Sequence, residues 1–169
     1  KDTSKYAPNK GLMRPVYFIT GKPQGALKYK NRTVGVASSA GKFSSAFALG
    51  SIILSKYYPD FAKSLVQRAK DAYDFGLQFP GTTQTAPCRS PYFYEEDNYV
   101  DDMELAALML HQLEPQEGHL GEAVEYARAE PTTPWMGADT ARHYQWYPFV
   151  NLGHYLGAKQ AEGVSMEFK

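Results

Sequence analysis

A helix expected over residues 99–113 has almost no polar face. Met103, Leu105, Ala106, Ala107, Leu108, Met109, Leu110 and Leu113 fall on nearly every side of it, and Pro115 ends it. Such a helix has to be covered by protein all round. The same holds for residues 39–56, SAGKFSSAFALGSIILSK, where small and apolar residues predict a helix buried nearly all round. Between these two lies a different kind of helix. Pro59 suits its first position, where a missing N–H costs nothing. Phe61, Leu65, Ala69, Ala72, Tyr73 and Gly76 recur at spacings of three and four, with Lys63, Arg68, Lys70, Asp71 and Asp74 mostly elsewhere. Pro80-Gly81 stops it. A fourth helix, about 117–129, carries Leu120, Ala123, Val124 and Ala127 on one face and Glu122, Glu125 and Arg128 off it. After Pro148 a last helix runs to about Ala161, with Phe149, Leu152, Gly153 and Leu156 inward.

Buried and amphipathic helices thus alternate. A four-helix bundle would make every helix amphipathic. The alternation predicts an all-α fold of stacked αα-hairpins in two layers, of the kind that closes into a toroid. Residues 1–36 form an irregular lead-in containing a strand-like run, Val16 to Thr20, residues 37–161 the hairpins and 162–169 a tail.

The chain has 169 residues, which suits one domain with a substantial core. Eighteen basic and eighteen acidic residues cancel, so charge favours neither nucleic acid nor an anionic membrane as partner. The longest apolar-rich run, Ala46 to Leu54, is too short for a membrane span. A single cysteine, Cys88, excludes an internal disulfide. The sequon Asn31-Arg32-Thr33 is read as accidental. Thirteen Tyr, nine Phe and two Trp are many rings for one core, and numerous ones lie in Pro- and Gly-bearing segments, as recognition surfaces require.

The chemistry concentrates in PYFYEEDNYVDDMELAAL, residues 91–108. Asp97 or Asn98 as helix cap, with Asp101, Asp102 and Glu104 in the first turns, suits the helix dipole. Capping accounts for one or two acids, not for Glu95, Glu96, Asp97, Asp101 and Asp102 together. A hard cation such as calcium, which takes six to eight oxygen ligands, is the second reading, although the spacing is not that of an EF-hand. The third is a stacking platform: Tyr92, Phe93 and Tyr94 sit where a loop meets an inner helix, and Tyr offers a sugar both an apolar face and a polar edge.

Four segments in order are similar to glycoside hydrolase family 9, the family of many cellulases. LMRPVYFI resembles its Arg-Pro-aromatic stretch, VASSAGKFSSAFALGSIIL its Ala-rich inner helix, YYPDFAKSLVQRAKDAYDFGLQF its next helix, and YFYEEDNYVDDMELAALML its tyrosine loop and acidic helix start. The resemblance covers about 13–130 well and 131–160 loosely. It implies part of an (α/α)6 barrel whose parent hydrolyses β-linked glucan or a related polysaccharide with inversion, using an acid and a base about 6.5–9.5 Å apart. It also implies a structural Ca2+ held by Asp97, Asn98, Asp101, Asp102 and Asp139, with Asp102 one methylene shorter than the family's glutamate. Tyr92 or Tyr94 and Trp135 match sugar-stacking rings; Arg142, His143, Tyr144 and Trp146 fall where the same cleft would be lined. Trp146 is assigned instead to packing against the last helix, and His154 to a structural role.

The family's Asp-Ala-Gly-Asp motif and its general-acid glutamate are absent, so no catalytic residue is expected here and the chain by itself is expected to be inactive. An internal piece of a larger catalytic domain, acting outside the cytoplasm, fits these features. Two alternatives remain: a noncatalytic carbohydrate-binding toroid, and an (α/α)-barrel epimerase or lyase with Tyr144 and His143 as local candidates.

Overall fold

The computed structural model describes residues 19–24, 30–84, 98–130 and 152–160. These form helices α1 (Ala37–Leu54), α2 (Pro59–Gln78), α3 (Val100–Leu113), α4 (His119–Ala129) and α5 (Leu152–Gln160). Among the described residues there is no strand, and the fold is all-α. Ile19 and Thr20, the described end of the strand-like run, are in neither helix nor strand.

The breakers act where the sequence places them. Pro59 opens α2 at its first position, and Asp60 adds negative charge to its first turn. α1 ends at Leu54 because the chain turns at once: the N–H groups of Tyr57 and Tyr58 both donate to the Leu54 carbonyl, at 3.0 and 2.8 Å. At its other end, α1 has no side-chain cap. An extended pairing stands in. Val34 N donates to Thr82 O at 3.0 Å, Val36 N to Phe79 O at 2.9 Å and Ser38 N to Gly81 O at 3.3 Å, the last satisfying a donor of the first helical turn. Asn31 locks this pairing. Its side-chain nitrogen donates to Gln84 O at 3.0 Å, while its oxygen accepts from Gln24 N at 2.9 Å. The sequon is therefore structural: Asn31 is buried with its amide in use.

The centre is α3, which packs against all four other helices. Met103, Ala106, Ala107, Leu108 and Leu110 are fully buried, as an all-apolar helix demands. α2 is amphipathic, but its inner face is Ala62, Leu65, Ala69, Tyr73 and Gly76; Phe61, expected there, is exposed. α4 buries Ala123, Val124 and Ala127. On α5 the buried positions are Gly153 and Gly157, while Leu152 is exposed.

α1 differs from the expectation of burial all round. Its buried face is made of small residues, Ala37, Ser38, Ala40, Gly41, Ser44, Ser45, Ala48 and Ser51. Its other face exposes Phe43, Leu49, Ile52 and Ile53, the last to 59%. Small side chains allow α2 and α3 to approach closely, so the large side chains are left on the outside.

Candidate functional site

The site grows from the first turns of α3. Tyr99 is the N-cap and makes no side-chain cap. Asn98, one residue earlier, accepts a hydrogen bond from Val100 N at 3.0 Å, a local turn that aims the helix. Asp101 and Asp102 then occupy the first turn, where the dipole favours negative charge. Adjacent helical positions lie about 100° apart, so the two acids serve different sides.

Asp102 faces α1. It is nearly buried, and its Oδ2 lies 2.6 Å from Lys42 Nζ, which also donates to Ser38 O at 3.4 Å. Gly41 makes this approach possible, since a Cβ there would stand 2.6 Å from the Asp102 carbonyl. An ammonium group thus compensates one of the acids assigned to a cation.

On the opposite flank a second cluster forms. Glu104 is fully buried, an ionisable residue inside an otherwise apolar core. Its Oε2 is 2.9 Å from His154 Nδ1 on α5, and Glu130 Oε2, just past α4, is 3.2 Å from the same nitrogen. The ligating atoms of Glu104, Glu130 and His154 all lie within 4.8 Å of one another. Gly153 admits the glutamate: a Cβ there would sit 2.8 Å from the Glu104 carboxylate.

The electrostatics follow from burial and crowding. Loss of solvent pushes the Glu130 carboxyl up to about 9, with the charges of Asp101 and Glu104 adding to the shift. The bond to Glu104 raises the His154 imidazole above its usual value, against the opposing effect of burial. Asp101 contributes to both shifts, so its charge bears on this flank.

Of the residues assigned to a site from sequence, Tyr92, Tyr94, Asp97, Trp135, Asp139, Arg142, His143 and Tyr144 lie outside the described residues. So does Trp146. Asn98, Asp101 and Asp102 are described, on a single turn-and-helix start. Sequence reasoning missed Lys42 and Glu130 and gave Glu104 to the helix dipole and His154 to structure. One signal was present: Glu104, set between Met103 and Leu105, cannot reach water from a helix that is apolar all round.

Known proteins fit this description. The model of glycosyl hydrolase family 9 matches residues 1–163. Endoglucanase 15 of Arabidopsis thaliana is 25% identical over 126 residues, which is 73% of this chain and 25% of that protein. Endoglucanase 21 of Oryza sativa subsp. japonica is 29% identical over 89 residues, covering 52% of this chain and 17% of its own length. Endoglucanase 14 of Arabidopsis thaliana is 27% identical over 100 residues, covering 59% and 20%. The chain therefore spans a quarter or less of the length of these relatives. No solved structure matches. With the family model covering nearly the whole chain and an all-helical fold centred on the acidic start of α3, the chain belongs to glycosyl hydrolase family 9.

Proposed function

We propose that this chain is part of the catalytic domain of an inverting glycoside hydrolase acting on β-linked glucan, to which it contributes cleft wall and scaffold. The observation that carries this reading is the family match over residues 1–163, joined to relatives whose names are endoglucanases. The water-activating aspartates and the general acid lie in other parts of the parent. The parent acts outside the cytoplasm, where polymeric glucan is found; no helix among the described residues is long and apolar enough to cross a membrane.

The bare side of the helices supports an incomplete barrel. Phe43, Leu49, Ile52 and Ile53 on α1 are exposed, as are Phe61, Phe75, Leu77 and Phe79 on and just past α2. Apolar surface of this extent suits the packing of further hairpins of an (α/α)6 barrel. Tyr92, Tyr94, Trp135, Arg142, His143 and Tyr144 line the sugar cleft. Asp97, Asn98, Asp101, Asp102 and Asp139 hold a structural Ca2+, with Lys42 as the internal competitor for Asp102.

Calorimetric titration with a β-glucan oligosaccharide tests the reading. Trp135→Ala is expected to weaken binding by about 1–3 kcal/mol, by analogy with the stacking of a nucleobase on an aromatic side chain. The chain by itself is expected to show no hydrolysis. Unchanged affinity in Trp135→Ala would place that ring in the core and remove the cleft wall assigned to it.

A further inference from the structure

Glu104 is 0% exposed, and the Glu130 side chain is 3% exposed. Neither carboxylate accepts a well-formed hydrogen bond through either of its oxygens. His154 Nδ1 approaches both carboxylates, at 2.9 Å from Glu104 Oε2 and 3.2 Å from Glu130 Oε2. Buried polar atoms are ordinarily satisfied, and leaving a charged group unsatisfied costs more than leaving a neutral one. Here one oxygen from each carboxylate and one ring nitrogen come within 4.8 Å of one another from three separate segments. Asp101 adds further negative potential, whereas Lys42, the nearby ammonium, is engaged on the other flank with Asp102.

We propose that Glu104, Glu130 and His154 form a binding site for one divalent metal ion of the zinc type. The donor set decides the class. Calcium and magnesium take oxygen ligands, whereas an imidazole nitrogen beside two carboxylates suits zinc and its first-row neighbours. The spacing fits as well. Bonds of about 2.0–2.1 Å to a tetrahedral zinc separate neighbouring ligand atoms by about 3.3–3.4 Å. The 2.9 and 3.2 Å separations around His154 Nδ1 need to open slightly, and the two carboxylate oxygens, within 4.8 Å of each other, need only small side-chain rotations to reach that spacing. Gly153 is part of the design, because any side chain there would push the Glu104 carboxylate out of the cluster. The ion fastens α5 and the end of α4 to α3. Its ligands are separate from the all-oxygen calcium set, and zinc binding here does not depend on saccharide recognition.

The full chain, stripped with a chelator, is titrated with Zn2+, with Ca2+ as the comparison ion. One equivalent of Zn2+ is expected to bind and to raise the melting temperature. Glu130→Gln and His154→Gln should each lower zinc affinity by at least the roughly 10–100-fold that even outer partners of a metal site cost. Far-UV circular dichroism shows whether the variants keep their helices. Should either fail to fold, Co2+ bound to the unaltered chain supplies the second readout: X-ray absorption should show a four-coordinate ion with one imidazole. No uptake of Zn2+ overturns the proposal. So does zinc affinity unchanged in both folded variants, or a Co2+ site lacking imidazole. An equal response to Ca2+ that disappears in His154→Gln would overturn the metal class.

Discussion

At the scale of single residues, the acidic start of α3 is divided by helical geometry. Asp102 meets an ammonium from α1, and Glu104 meets an imidazole from α5. The two flanks make separate predictions. For the Glu104 flank, Glu130 has an ordinary value of 4.5 and is pushed up to about 9 by burial and by its acidic neighbours. Between those values the folded chain keeps a proton that the unfolded chain releases, so stability falls as pH rises. His154, raised by Glu104, acts in the same direction: its contribution is complete below 6.5 and is lost as pH climbs through its higher folded value. The groups around them, Asp101, Asp102 and Glu104 on α3 and Lys42 on α1, do not reverse this sign. Thermal melts of the metal-free chain between about pH 5 and pH 9 should show a falling melting temperature, and Glu130→Gln should flatten the slope. On the Asp101 side, added Ca2+ should raise the melting temperature through the proposed oxygen site, and Asp101→Ala should abolish that rise. An unaltered chain that ignores Ca2+ in the melt would dismiss the calcium site.

At the scale of elements, periodicity reported α3 correctly and α1 only in part. α3 carries large apolar residues on all sides and is surrounded by the other four helices. α1 is equally apolar in composition, but its neighbours chose its small side. Gly41 lets Asp102 approach, Gly76 on α2 leaves room for the Met103 sulfur, and Gly153 on α5 leaves room for Glu104. All three close approaches meet α3 within residues 102–104, so the buried acid and its partners lie where the helices cross most tightly. This ranking of helices is measurable. Leu108→Ala, at a fully buried position, should cost about 2–5 kcal/mol in urea unfolding. Ile53→Ala, on the open side of α1, should stay within about 0.5 kcal/mol. A comparable loss at both sites would mean that α1's outer face is covered in solution.

At the scale of the whole molecule, the helical character, the buried α3, the amphipathic α2 and α4 and the turn points at Pro59 and Pro115 were legible in the sequence, because each depends on residues within a few positions of one another. Family membership was legible for the same reason, through four segments in order. Other features were out of reach. That Asn31 would be consumed by Gln84 and Gln24, that Lys42 would find Asp102, and that Glu104 would share a buried corner with Glu130 and His154 all depend on contacts between distant segments. Hydrophobic spacing says which side of a helix avoids water, not which other helix it touches or how closely. The sequence by itself determined where helices form and that α3 is the buried one, since backbone propensity and apolar period are local properties. Only the tertiary structure decided which charges meet, because that depends on interhelical crossings a few ångströms apart, set by the small residues at each point of contact.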